Sequence, residues 1–422
     1  MKLAKSTMKK TAVVAAATVM VVTGFVIPKA SEYVQADTPK TKNVILFVGD
    51  GMGTAQRNAI RLATVGLTGK LAMDDMPYSG LIHTSSTVPV TDSAAAATAY
   101  ASGVKTYNGA IGMDEHKQSV KAIMEYAKDA GLSTGVVTTS QVTDATGAAF
   151  GSHVENRSAQ SDIAEQYLND SKLDVILGGG EDYWFPAGEQ GAFPDEPAED
   201  PSEKSKGTKG NLVEKAKQLG YSYVTSKSEL EQATSGKLLG LFANEEMFQQ
   251  NEEGKGALYN PVVPLADMTK KAIDTLANND KGFFLMVEEE ATDEMAHHNN
   301  AELTIKAGQE LDKAVQVAKD FAKQNPDTLV LVLADHETGG FSIEPVEDTE
   351  DESGDGISKE DGPFAIKGSA QQFMVDWTTS GHTAVDVPVT AMGKNSVLFS
   401  GMFENTEVYN KLMLVMGLGN NK

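Results

Sequence analysis

The residues best suited to chemistry sit just beyond three apolar runs. Asp335-His336 follows Leu329–Leu333 and leads into Glu337-Thr338-Gly339-Gly340. Glu288 follows Phe283–Val287, with Asp293 and His297 at i and i+4 shortly after it. Asp50 closes Asn43–Gly49 and opens Gly51-Met52-Gly53. A charged pair at the mouth of a buried run is costly unless something pairs with it, and i, i+4 spacing puts a carboxylate and an imidazole on one helix face. The chain has no cysteine, so thiolate catalysis and thiolate metal sites are excluded and any metal must bind His and carboxylates. Zinc takes imidazole and carboxylate, and magnesium takes oxygen ligands.

A second set of residues suits an anion or a nucleophile. Val90-Thr91-Asp92-Ser93 precedes Ala94–Ala97, and Gly103 ends that pattern. Ser93 therefore falls at a helix start, where free N–H groups and the helix dipole favour an alkoxide or a bound phosphate. Asp144-Ala145-Thr146 follows a strand-like run, with His153 and Arg157 further along the helical segment expected after it. A guanidinium fork matches two phosphate oxygens. His382 lies in the loop-like Ser380-Gly381-His382-Thr383. Each feature alone also has an ordinary reading. Asp50 with its glycines suits a plain turn, Asp92 or Ser93 a helix N-cap, and Asp293 with His297 an exposed acidic face. Asp335-His336 suits a structural ion pair and Arg157 a surface one. His83, His116, His153 and His298 receive no role.

These residues need a scaffold that brings strand ends together. Short β-branched runs at Val44–Val48, Thr134–Thr138, Leu173–Leu177, Phe283–Val287 and Leu329–Leu333 alternate with amphipathic segments at Val120–Ala130, Leu212–Leu219, Met268–Leu276 and Ala301–Lys323. That alternation predicts a doubly wound α/β fold: a mainly parallel central sheet with helices on both faces, surface insertions, and ligands at the carboxyl ends of the strands. Glu189–Gly210 and Glu344–Gly362 break the pattern and read as surface loops. The second concentrates Glu347, Asp348, Glu350, Asp351, Glu352 and Asp355; it suits a solvated acidic loop or, without EF-hand spacing, a structural calcium site.

The 422 residues carry 36 Lys and Arg against 59 Asp and Glu, a formal charge of −23. Lys2, Lys5, Lys9 and Lys10 precede an apolar run from Thr11 to Ile27 and the small-residue pattern Val34-Gln35-Ala36, which reads as a secretory signal. Residues 1–36 are thus expected to be removed, leaving 37–422 as one catalytic domain, secreted or held in the cell envelope or periplasm. No later segment is apolar enough to span a membrane, and no stable insertion is expected after cleavage. Removing 1–36, which holds five Lys and one Glu, takes the charge to −27. Such a chain repels nucleic acid and anionic lipid. To hold an anionic substrate it needs concentrated positive charge, for which bound divalent cations are the natural source.

Taken together and in this order, the segments closely resemble the alkaline phosphatase family, in its bacillus-type form. The strings that carry the resemblance are Gly49-Asp50-Gly51-Met52-Gly53, Thr91-Asp92-Ser93-Ala94-Ala95, Asp144-Ala145-Thr146 with His153 and Arg157, Glu288 with Asp293 and His297, Asp335-His336-Glu337-Thr338-Gly339-Gly340, and Gly381-His382-Thr383. They span nearly all of the chain beyond residue 43. The resemblance implies hydrolysis of phosphate monoesters with broad specificity, Ser93 as nucleophile, Arg157 as the phosphate clamp, and a homodimer. It implies three metals. Asp293, His297 and His382 would hold one Zn2+; Asp50, Asp335 and His336, with Ser93, a second; Asp50, Thr146 and Glu288 one Mg2+. Asp92, Asp144 and Glu294 would stand behind these ligands. Some relatives carry His in place of Asp144, and with Asp there magnesium is expected rather than a third zinc. Glu294 falls where family members vary, and a carboxylate there is expected to weaken phosphate inhibition. Within the same superfamily, a sulfatase would need a convertible Cys or Ser in a Pro and Arg context, and a phosphodiesterase usually has a Thr nucleophile without the magnesium set. A non-catalytic exported protein that stores metal or scavenges phosphate would need the ligands but not Ser93.

Overall fold

The run Asn43–Gly49 has no polar alternation, and it forms a strand, β1, in which every residue is buried. A strand buried on both faces must be covered by helices on both. The same holds for four other strands of the sheet, so the apolar runs of the sequence become its middle. The protein is described from a computed structural model that covers residues 40–195, 204–248, 261–346 and 359–419.

Ten strands build the main sheet: β1, β2 (Tyr78–His83), β3 (Ser133–Gln141), β4 (Val175–Gly179), β5 (Ser222–Val224), β6 (Leu238–Leu241), β7 (Phe283–Glu289), β8 (Thr328–Leu333), β14 (Val387–Gly393) and β15 (Gly401–Glu404). Two small antiparallel sheets use β9 (Glu337–Thr338), β10 (Phe341–Pro345), β11 (Lys359–Ala365), β12 (Gln372–Trp377) and β13 (His382–Thr383). In space the main order is β15-β2-β14-β8-β1-β7-β3-β4-β6-β5. Only β14 runs against the others, pairing antiparallel with both β8 and β2. The result is the mostly parallel sheet with flanking helices that the alternation predicts.

Register places the chemistry. β1 lies between β7 and β8, with Val48 opposite both Glu288 and Leu333, and Thr138 of β3 opposite Glu288. Four parallel strands therefore end at one level, and the residues that follow them meet above the sheet edge. The helix Ser93–Ser102 is buried along its whole length, which its alanine run permits because small side chains let a helix press closely on its neighbours.

Several boundaries move from the sequence reading. The segment around Val120–Ala130 is helical only over Ile123–Asp129, because Val120 N–H is taken by Gly112 O at 2.9 Å and the Glu125 carboxylate caps Ala122 N–H at 2.7 Å. After Asp144 the chain makes a single helical turn, Ala145–Ala148. His153 and Arg157 then lie in a loop rather than on a helix, because Ile111 and Val154 exchange backbone hydrogen bonds and Arg157 N–H is held by Gly109 O. The stretch Glu344–Gly362 is not loop throughout. Its ends belong to β10 and β11, paired through β12, because Phe341, Phe373, Val375 and Trp377 bury against the helices Thr54–Val65 and Ala301–Gln324. The acidic residues 347–358, and with them the calcium question, lie outside the described residues, as do 196–203 of the other insertion and the signal-like segment 1–36. Among the described residues no helix is long and apolar enough to cross a membrane.

Candidate active site

Gly51 is the pivot of the site. It has φ +62°, and a Cβ there would lie 2.5 Å from Asp293 Oδ1 and 2.7 Å from Thr338 Oγ1. Only glycine combines that backbone with such close approach. Its N–H donates to Asp335 Oδ1 at 3.1 Å, and its carbonyl accepts from Thr338 N–H at 3.1 Å. The turn after β1 is thereby tied to the chain after β8, and Asp50 and Asp335, 2% and 0% exposed, are held together.

Asp50, Asp335 and His336 form one compact group. Nε2 of His336 lies 3.1 Å from Asp335 Oδ2, 3.5 Å from Asp50 Oδ1 and 3.1 Å from Ser93 Oγ. Ser93 is the first residue of its helix. Asp92 is the N-cap: its Oδ1 accepts Ala95 N–H at 3.0 Å, and its Oδ2 accepts Gly109 N–H at 2.8 Å. Because Asp92 does the capping, the Ser93 hydroxyl is left to face the imidazole.

A second group joins it. Asp293 Oδ2 and His297 Nε2, on the helix Ala291–His297, are 3.1 Å apart, and His297 Nε2 is 3.1 Å from His382 Nε2. The Nδ1 of His297 donates to Ser380 O at 2.6 Å and that of His382 to Thr91 O at 2.9 Å. Both imidazoles thus turn Nε2 toward the same spot beside Asp293, an arrangement that suits a cation. The ring of His382 stacks on that of His336 with centroids 3.6 Å apart, so the two groups share a wall. Asp293, His336 and His382 also lie within ligand distance of one another, a grouping in which the acid is shared more widely than the i, i+4 spacing suggested.

Behind Asp50, Thr146 Oγ1 donates to Asp50 Oδ2 at 3.2 Å and Thr138 Oγ1 to Glu288 Oε2 at 2.6 Å. Asp50 Oδ1 and Glu288 Oε1 have no hydrogen-bond partner although both are buried. Arg157 reaches in from its loop with Nη2 2.9 Å from Asp144 Oδ1 and Nη1 3.6 Å from Asp92 Oδ2. Asp144 also accepts from Ser140 Oγ at 3.4 Å. Glu294 is half-buried next to Asp293; burial, then the Glu294 charge, raises the carboxyl of Glu290, and Glu294 adds a smaller contribution to the Asp293 bond that raises His297.

The electrostatics follow from burial and crowding. Burial, then repulsion from Asp335, Asp293 and Glu288, pushes the Asp50 carboxyl well above the usual carboxylate range. Burial pushes Glu288 up to about 7. Burial works the same way on Asp293, but the His297 hydrogen bond and the His336, His297 and His382 charges outweigh it and hold that carboxyl below its ordinary range. The Asp293 bond pushes His297 up to about 9, whereas burial and the charge of His336 depress His382. Asp144 holds the Arg157 guanidinium firmly cationic.

Several residues that position this site receive no role from the sequence, even where they stand inside a marked string. Gln56 Nε2 donates to Glu337 Oε1 at 2.7 Å; Phe341 N–H donates to the same oxygen at 3.1 Å, and Thr383 Oγ1 donates to Oε2. This clamp holds the ribbon of β9 and β13, in which His382 pairs with Thr338. Thr338 itself bonds both Asp293 and His336. A polar cluster at the end of β3 was the available signal for Thr138; nothing local marks Gln56. The unassigned histidines have structural partners: His83 with Asp386, and His153 with Glu125 and Gly112.

A doubly wound sheet whose strand ends gather carboxylates, imidazoles and a helix-terminal serine belongs to the metal-dependent α/β hydrolases that work on phosphate esters. The alkaline phosphatase family model matches residues 41–366, and the chain belongs to that family, as a phosphomonoesterase hydrolase. It is 34% identical to alkaline phosphatase 4 of Bacillus subtilis over 91% of this chain and 90% of that protein. It is 32% identical to alkaline phosphatase of Escherichia coli over 91% and 87%. Among solved structures, alkaline phosphatase from the Antarctic bacterium TAB5 superposes with a TM-score of 0.72 at 32% identity, covering 90% of this chain and 99% of that one. The Thermus thermophilus enzyme gives 0.73 at 25%, covering 90% and 92%.

Proposed function

We propose that the chain is an exported alkaline phosphatase of broad specificity that works through a phosphoserine on Ser93 with two zinc ions and one magnesium. The observation that carries the metal reading is the pair of orphaned oxygens, Asp50 Oδ1 and Glu288 Oε1, buried in a cluster of carboxylates. Burying carboxylate oxygens without a hydrogen-bond donor is costly, and a divalent cation removes that cost. Asp293, His297 and His382 would hold one zinc; Asp50, Asp335 and His336 would hold the other, next to Ser93. Asp50, Thr146 and Glu288, an all-oxygen set, fit magnesium. A solved His-to-Asp mutant of the TAB5 enzyme has magnesium bound in its M3 site, in keeping with a carboxylate-rich third site here. When bound, the ions lower the pKa of the serine hydroxyl and stabilise the departing alkoxide.

The chain's own groups do the rest. Ser93 Oγ forms a bond to phosphorus in line with the departing alcohol oxygen, whose P–O bond breaks. Arg157 orients the phosphoryl group with two parallel N–H donors, and Asp144 and Asp92 hold that fork. Water then attacks the phosphoserine from the opposite face and the Ser93 O–P bond breaks, so two inversions give net retention at phosphorus. A site of this kind grips the phosphoryl group and leaves the alcohol largely in solvent, which makes broad specificity the reading. Export, the removal of 1–36, a single domain over 37–422 and a homodimer are part of this reading.

The test is release of p-nitrophenol from p-nitrophenyl phosphate at alkaline pH, before and after EDTA and with zinc and magnesium restored. Activity abolished by the chelator and recovered only with both metals is expected. Full activity in chelated protein, or recovery with zinc alone at full metal occupancy, would overturn the metal assignment.

A further inference from the structure

We infer that Tyr100 is a positioning residue for phosphoryl transfer, an assignment that rests on Ser93 as the nucleophile: its hydroxyl ties the helix that presents Ser93 to the peptide that leads into Asp335 and His336, and so fixes where the serine oxygen stands.

The helix Ser93–Ser102 is buried along its length, yet Ala94, Ala95, Ala96, Ala97, Ala99 and Ala101 give it little but methyl surface. Apolar burial is non-directional, so it keeps such a helix in the core without setting its rotation or its place along its own axis. Hydrogen bonds set those. Asp92 caps the helix and meets Gly109. Thr98 Oγ1 donates to Ala110 O at 3.1 Å and accepts Gly112 N–H at 3.0 Å. These bonds reach the loop 107–112 and not the strand end that carries the acid and the imidazole.

Tyr100 supplies that link. It is fully buried, and its hydroxyl donates to Ala334 O at 2.7 Å. A backbone carbonyl can only accept, so the direction of the bond is fixed. Ala334 follows the end of β8, and its carbonyl lies in the same planar peptide as the N–H of Asp335. Ser93 and Tyr100 are seven residues apart, which brings them within about 20° of one helix face and about 10.5 Å apart along the axis. That face therefore meets the chain after β8 twice, where Ser93 Oγ stands 3.1 Å from His336 Nε2 and where Tyr100 bonds Ala334. The second contact lies outside the reacting atoms, so it can hold the helix in place while the first gives way to substrate. Phosphoryl transfer depends mostly on positioning and electrostatics, and a misplacement of about 1 Å can cost roughly 100-fold.

The test is Tyr100→Phe, which keeps the ring and its packing and removes the hydroxyl, with Tyr221→Phe as the control. Tyr221 is also buried and its hydroxyl bonds a backbone carbonyl, Leu173 O, just before β4 and so at the end of the sheet away from the site. Wild type and both variants, loaded with zinc and magnesium, are compared by rapid acid quench of a single turnover with 32P-labelled substrate and by competitive inhibition with inorganic phosphate. Tyr100→Phe is expected to slow transfer of label to Ser93 roughly 10- to 100-fold, with metal content and the phosphate inhibition constant unchanged, because the groups that grip phosphate keep their places. Tyr221→Phe should match wild type in every readout. Transfer at the wild-type rate in Tyr100→Phe would overturn the inference. So would an equal slowing in Tyr221→Phe, or a loss of metal that accounts for the slowing, since each means a general loosening of the core rather than a displaced serine. A wild type that takes no label on Ser93 would overturn the phosphoserine reading as well, whereas labelled wild type with an equally fast Tyr100→Phe removes only the role of Tyr100.

Discussion

The hydroxyl oxygen of Ser93 lies 3.1 Å from Nε2 of His336, although 243 residues separate them in the chain. Asp92 satisfies the helix N-terminus in place of Ser93, so Ser93→Ala removes the proposed nucleophile without uncapping the helix. Activity is expected to fall at least about 10⁴-fold, with the metal content unchanged. Acid-quenched reactions with 32P-labelled substrate should leave label on wild type and none on the variant. Label on Ser93→Ala would mean that another residue takes the phosphoryl group.

Arg157 bonds Asp144 at 2.9 Å and stands 3.6 Å from Asp92, and in the proposed function it clamps the phosphate. Each hydrogen bond to a charged group is worth about 1.5–3 kcal/mol. In Arg157→Ala both KM and the inhibition constant for phosphate should therefore rise, by roughly 10–100-fold. Arg157→Lys should recover only part of this, because an ammonium cannot bind two oxygens at once. An unchanged phosphate constant in the alanine variant would show that the clamp lies elsewhere.

Glu294 adds negative charge beside Asp293 and His297. Even with the screening of bulk water, two unit charges about 4 Å apart interact at the level of ~1 kcal/mol. Glu294→Gln is expected to tighten competitive inhibition by phosphate roughly threefold to tenfold. The same inhibition constant in both proteins would contradict that reading.

Glu337 accepts from Gln56, Phe341 N–H and Thr383 in a buried position. Truncation leaves these donors without an acceptor, at about 1–3 kcal/mol for each one that water cannot reach. Glu337→Ala should lose roughly 2–4 kcal/mol in urea unfolding of the metal-free protein, and Glu337→Gln less. A loss within about 0.5 kcal/mol of zero, the range of an ordinary surface change, would remove the clamp from the account of how His382 is held.

Metal removal should make stability pH-dependent. Burial raises Glu288 from 4.5 to about 7, so between those values the folded state binds more protons than the unfolded one and stability falls as pH rises. Asp50 is raised in the same sense, and His297, raised from 6.5 to about 9, also loses its contribution as pH climbs. His382, depressed by burial, opposes them below its ordinary value of 6.5. The difference in thermal midpoint between metal-loaded and metal-free protein should therefore widen from pH 4.5 to 9. A constant difference across that range would show that these groups are not what the cations neutralise.

Much of the site is legible in the amino-acid sequence by itself. Asp50, Glu288 and Asp335 follow runs too apolar to be anything but buried strands, and a carboxylate at such an end announces a site because its burial needs a partner. Ser93 announces itself by standing where an alanine helix begins. These are local properties of type, spacing and period, and a sequence carries them directly. What it cannot carry is which strand lies beside which. That β1 runs between β7 and β8, bringing Asp50 to Glu288 and Asp335, is decided by long-range burial and hydrogen-bond register. The helix expected to carry Arg157 gives way to a loop because Ile111 and Val154 pair across more than forty residues, and the acidic insertion ends in strands because Phe341 and Trp377 needed a surface to cover. Gln56 and Thr138 have unremarkable neighbours in the chain, and Thr338 stands in a marked string without a role of its own. They acquire their roles only through the partners that folding sets around them.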